Sequence, residues 1–70
     1  MEPTEQFARN LRKHRQRLGY SQEPLGYRCD LHRTEISLLE RAEREPRLST
    51  IVRLARGLAV SPAELLEGIR

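Results

Sequence analysis

Arginine dominates the groups in this chain that could do chemistry. Thirteen Lys and Arg stand against ten Asp and Glu among seventy residues, a net charge of +3, and the isoelectric point is near 9.8. The cations gather twice, at Arg9, Arg12, Lys13, Arg15 and Arg17, and again at Arg41, Arg44 and Arg47. Cations grouped in this way neutralise phosphates and release condensed counterions, the electrostatic footprint of a nucleic-acid partner. Glu43 and Glu45 dilute the second group.

The other reactive side chains set limits. Two histidines, His14 and His32, and one cysteine, Cys29, form no metal-ligand spacing and no nucleophile–base arrangement. The sequence therefore predicts no enzyme, no metal and no cofactor. A lone cysteine makes no internal disulfide and suits a reducing compartment. No apolar run nears the roughly 18 residues of a membrane span, and the N-terminal MEPTEQFARN has no apolar signal core. The expectation is a soluble, cytoplasmic protein with no membrane partner.

Something must position these groups, and the apolar spacing is helical throughout, with no strand-like alternation. A first helix is predicted from Glu5 to Leu18, capped by Thr4, with Phe7, Leu11 and Leu18 on its inner stripe, His14 between them, and Gly19 as its stop. A second runs from Gln22 to Arg28 behind Ser21. Its Pro24 falls in the first turn, where a missing N–H costs little but also denies Ser21 that capping partner. Cys29-Asp30-Leu31 makes a short turn. A third helix runs from Arg33 to Arg41 with His32 near its cap; Ile36 and Leu39 point inward, and Arg33, Thr34, Ser37 and Leu38 point outward. After a charged loop, Ala42–Leu48, a fourth helix spans Thr50 to Leu58 behind Ser49, burying Ile51, Leu54, Ala55 and Leu58. Ser61-Pro62-Ala63-Glu64 reads as a capping box opening a fifth helix that carries Leu65 and Leu66 and ends near Gly68. Tyr20 and Tyr27 are expected to pack. The expectation is one all-α domain over residues 1–70. The short link between its second and third helices forces the steep crossing of a helix-turn-helix.

Three stretches carry a family resemblance. Gly19–Leu25, G-Y-S-Q-E-P-L, resembles the G-x-S-Q-x-x-L of the Cro/C1-type phage-repressor (XRE) family. Leu31–Arg41, L-H-R-T-E-I-S-L-L-E-R, resembles that family's recognition helix. Pro46–Ser61 resembles its P-x-L-x-T-L-x-x-L-A-x-A-L-x-V-S. The likeness runs from about Phe7 to Leu66. Asp30 stands where a turn glycine is usual and Ala42 where glycine usually ends the third helix; Pro24 and His14 also depart from the pattern.

The resemblance implies a five-helix, lambda-repressor-like fold with the helix-turn-helix at about 22–41. It implies a transcription regulator, a repressor acting as a homodimer on an inverted repeat in double-stranded DNA; restriction–modification controller proteins are the nearest kind. A protein-interaction or antitoxin module on the same fold is the alternative, with a partner of unknown identity. His32, Arg33, Thr34, Ser37 and Leu38 would enter the major groove. Arg33 suits the O6 and N7 of guanine, and Leu38 suits a thymine methyl. Gln22 would meet the DNA backbone and brace the third helix, while Arg41, Arg44 and Arg47 would meet phosphates. Arg15 and Glu40 correspond to an architectural ion pair. Leu66 and Ile69, near the C-terminus, are the expected dimer surface.

Overall fold

A computed structural model describes all residues, Met1–Arg70, as five helices without a strand: α1 (Pro3–Arg17), α2 (Gln22–Cys29), α3 (Arg33–Glu40), α4 (Leu48–Leu58) and α5 (Pro62–Leu65). Four of the helix ends are built alike. Each of α1 to α4 closes in a Schellman turn, in which one N–H reaches back five residues and the preceding N–H reaches back three. The pairs are Tyr20 to Arg15 with Gly19 to Gln16, Leu31 to Gly26 with Asp30 to Tyr27, Glu43 to Leu38 with Ala42 to Leu39, and Val60 to Ala55 with Ala59 to Arg56. The turn needs a left-handed residue, and glycine supplies it once, at Gly19. Elsewhere Asp30, Ala42 and Ala59 take φ values of 56°, 57° and 57°. Each alanine costs roughly 1–2 kcal/mol there.

The helix starts differ from the expected ones at two places. α1 begins at Pro3 rather than behind Thr4. Proline suits a first helical position because it has no N–H to satisfy, and the Glu5 carboxylate accepts the N–H of Glu2 at 3.1 Å. α4 begins at Leu48, so Ser49 lies inside its first turn and Arg47 is the residue before it. The helical bonding already runs from Ile51 N–H to the Arg47 carbonyl at 3.0 Å. Leu48 faces water there, which hides the start from an apolar-spacing argument. At α2, Ser21 makes no side-chain capping bond, in keeping with Pro24. At α3, His32 Nδ1 accepts the Thr34 N–H at 3.0 Å.

α5 is a single turn rather than a helix continuing to Gly68. Its capping box is present: Ser61 Oγ accepts the Glu64 N–H at 3.2 Å, and Glu64 Oε2 accepts the Ser61 N–H at 2.9 Å. The helix stops because Asn10 takes its carbonyls. The Asn10 amide donates to the carbonyls of Leu65 and Glu67, both at 2.8 Å. A longer helix would give the Leu65 carbonyl to Ile69, whose N–H goes instead to Leu66.

One core joins the five helices. Leu11, Leu25, Ile36, Leu39, Leu54, Leu58 and Leu65 are fully buried within it. Burial of each such side chain stabilises the fold by about 1.5–3 kcal/mol. His14 is buried as well, whereas Leu18 is 42% exposed. Leu18 lies past the last turn of α1, where the chain is already bending into Gly19. Tyr27 is 86% exposed rather than packed, while Tyr20 stacks under the Arg28 guanidinium at 5.0 Å. Two glycines permit close contacts. A Cβ at Gly26 would strike the Leu31 carbonyl between α2 and α3, and one at Gly57 would strike Cys29 Sγ between α4 and α2. Burial at that seam pushes the Cys29 thiol up to about 11.

Candidate nucleic-acid interface

The two sides of α3 are opposite in character. Ile36 and Leu39 have no exposure, and they fix the helix on α1 and α2. Arg33 and Thr34 are exposed on its other side, and Ser37 and Leu38 are half-buried beside them. Gly26 lets α2 lie close against the start of this helix. The outer face is therefore held at a fixed angle by fully packed residues.

A buried charged knot fixes the far end. The Glu40 carboxylate, 2% exposed, accepts Arg15 Nε at 2.6 Å and Arg15 Nη2 at 2.9 Å. Gln22 Nε2 donates to the same carboxylate at 3.2 Å. Arg15 Nη1 also donates to the Tyr20 carbonyl, and Arg12 Nη2 to the Glu40 carbonyl, both at 2.7 Å. The hydrogen bonds to Glu40 raise the Arg15 pKa against the opposing effect of burial. The knot joins α1, the α1–α2 link, the start of α2 and the end of α3. Two cations of the first basic group, Arg12 and Arg15, thus bond within the molecule; Arg15 is largely enclosed at 12% exposure, while Arg12 stays 47% exposed.

The second basic group lies around α3 and the loop after it. Arg41 donates to Glu43 at 3.1 Å, and Arg44 pairs with Glu35. Arg33 stands 3.7 Å from Glu23, and Arg47 makes no ion pair. Arg44 and Arg47 share a polar cleft with Arg53, Ser49 and His32, between the starts of α3 and α4. Arg53, which the sequence reading passed over, donates to the Asp30 carbonyl at 3.4 Å. Its signal was available as an arginine spaced six residues after Arg47. Glu23 and Glu35 were also missed, because their arginine partners lie on other elements.

Leu66 and Ile69 are elsewhere. Leu66 is 39% exposed and Ile69 is half-buried. With Pro3, Phe7, Pro46 and Ile51 they line a shallow apolar groove that meets the cleft beside α3 only at Glu45.

Residues 6–67 match the family of helix-turn-helix domains. The chain belongs to the helix-turn-helix domain family. This member is 47% identical over 47 residues to the control protein C.BamHI of Bacillus amyloliquefaciens, a match covering 67% of the chain and 58% of that protein. The restriction-modification controller protein C.AhdI of Aeromonas hydrophila superimposes with a TM-score of 0.86 at 35% identity, over 89% of this chain and 94% of the other. The P22 c2 repressor, solved in complex with a synthetic operator, superimposes with a TM-score of 0.81 at 32% identity over the same shares. Among helix-turn-helix domains, then, this one has the backbone of controllers and of an operator-bound repressor. It sits in a family of regulators rather than of enzymes.

Proposed function

We infer that the chain is a sequence-specific, DNA-binding transcription regulator of the controller and repressor kind, acting as a homodimer on an inverted-repeat operator. The observation that carries this is the outer face of α3, where Arg33 and Thr34 stand exposed over a fully packed inner face. α3 enters the major groove. Arg33 reads guanine through its two-pronged donor edge, Thr34 and Ser37 hydrogen-bond base edges, and Leu38 meets a thymine methyl. His32 both caps α3 and stands at the groove. Gln22 and Arg41, Arg44 and Arg47 fix register on the phosphates.

Size supports a dimer. The longest dimension of the molecule is 29 Å, and half-sites one helical turn apart are about 34–36 Å from centre to centre. One copy therefore covers one half-site. The groove holding Leu66 and Ile69 is the apolar surface through which two copies meet. No helix is long and apolar enough to cross a membrane, and the work is done in the cytoplasm, where the DNA is. The seventy residues act as one domain.

The test is selection of bound sites from a random duplex library with the wild type and with Arg33→Ala. A two-fold-related motif, relaxed at one base pair per half-site by Arg33→Ala, supports the reading. Salt-sensitive binding without any enriched motif overturns it and turns the search toward a protein partner.

A further inference from the structure

Three of the arginines assigned to DNA stand beside carboxylates in the free protein. Arg44 pairs with Glu35 at 2.5 Å, Arg41 with Glu43 at 3.1 Å, and Arg33 stands 3.7 Å from Glu23. Arg47 alone of the loop arginines has no such partner. Glu35 and Glu23 are placed differently from Glu43: they belong to α3 and α2, the two helices of the DNA-binding unit. Glu35 lies in the first turn of α3 and keeps only 22% exposure. A carboxylate there is an expense in a surface meant to meet phosphates, because like charges repel.

The pairs change what a phosphate contact is worth. A free arginine meeting DNA releases about 0.9 of a condensed cation, and this release drives sequence-independent binding. An arginine that must first leave a carboxylate strands a negative charge beside the phosphates. That charge draws a cation back, so the net release is small. Arg33 and Arg44 therefore contribute less to binding of arbitrary DNA than unpaired arginines would. Matching bases in the groove supply the additional favourable contacts that open the pairs.

We propose that Glu23 and Glu35 determine sequence discrimination by holding Arg33 and Arg44 back from DNA that offers no matching bases. The proposal rests on the DNA-binding reading above. Both residues are positioning groups: they act through the arginines and need touch no base.

The test compares affinities of the wild type, Glu35→Gln, Glu23→Gln and the double variant for a selected operator and for a random-sequence duplex of equal length, across a salt series. Glutamine keeps the size of the side chain and suits a first helical turn. Glu67→Gln, the same charge change on the C-terminal turn, is the control. Thermal unfolding checks that each variant is folded. On random duplex, each of the two α-helix variants should bind about two- to fivefold more tightly, the range expected when an exposed ion pair is lost. The slope of log K against log salt should steepen by up to about 0.9 per variant. Operator affinity should change less, so that discrimination narrows, and Glu67→Gln should change neither. Arg47→Ala should flatten the wild-type slope on random duplex, while Arg44→Ala should do so only in the Glu35→Gln background. Equal gains on both duplexes, an unchanged slope, or the same response from Glu67→Gln overturns the proposal. A loss of affinity with Glu35→Gln also overturns it, since Glu35 would then be a support for Arg44 and not a restraint. Wild type that binds neither duplex overturns the DNA-binding reading itself.

Discussion

Arginine–glutamate pairs occur at both ends of α3, and their access to water separates them. At the C-terminal end, Glu40 is 2% exposed and takes two bonds from Arg15 and one from Gln22. At the N-terminal end, Arg33 and Glu23 are each more than 60% exposed, at 65% and 62%, and make one long contact. The same two residue types form a fixed joint in one place and a detachable contact in the other. A buried pair is costly to disrupt because a lone charge is left without water. An exposed pair is worth about 0–1 kcal/mol, since water replaces either partner. A helix that must present a surface to DNA needs both: one end locked to the body, the other free to exchange partners.

The sharpest way to break this contrast is Glu40→Ala. It should destabilise the fold by about 3–5 kcal/mol in urea unfolding, because Arg15, only 12% exposed, is left without its anion. A loss below about 1 kcal/mol would place Glu40 with the exposed pairs. Replacing both partners, Arg15→Met with Glu40→Leu, should recover most of that loss, because no stranded charge remains. Arg33→Ala should do the reverse of Glu40→Ala. Unfolding free energy should stay within about 0.5 kcal/mol of wild type, while affinity for the selected operator falls by about 1–3 kcal/mol, read by titration of the labelled duplex. The smallest effect belongs to Glu43→Gln, which releases the exposed Arg41 pair. Its unfolding midpoint in urea should be within error of wild type, and any shift in unfolding free energy should stay under about 0.5 kcal/mol and fade with added salt.

Much of the outer face of α3 was legible because it rests on local rules. Ile36 and Leu39 three residues apart fix which way Arg33 and Thr34 point, and the His32 and Ser61 caps follow from side chains that reach their own backbone. What the sequence hid depends on distant partners. Asn10 reads as an ordinary polar residue in a helix, and only the fold brings the Leu65 carbonyl to it, 55 residues away. Gly57 falls inside a helix-forming run, and its need is set by Cys29 on another element. The start of α4 was missed because Leu48 is apolar and still faces water. Glu35 drew no reading in the sequence, since its partner Arg44 lies beyond the end of its own helix. Ala42 was marked in the sequence as standing where glycine usually ends the third helix, whereas Ala59, in the same turn geometry, was not.

The Asn10 contact also bears on the order in which the molecule assembles. α1 is the first helix synthesised, and it can coil and begin packing early. Its Asn10 amide sits within the body of the protein, yet both its hydrogens are bonded to carbonyls of Leu65 and Glu67. Those carbonyls do not exist until almost all of the chain described here has been translated. Until then the Asn10 amide hydrogens are left to water. The contact joins residues 55 and 57 positions apart, a sequence separation of the kind that slows folding.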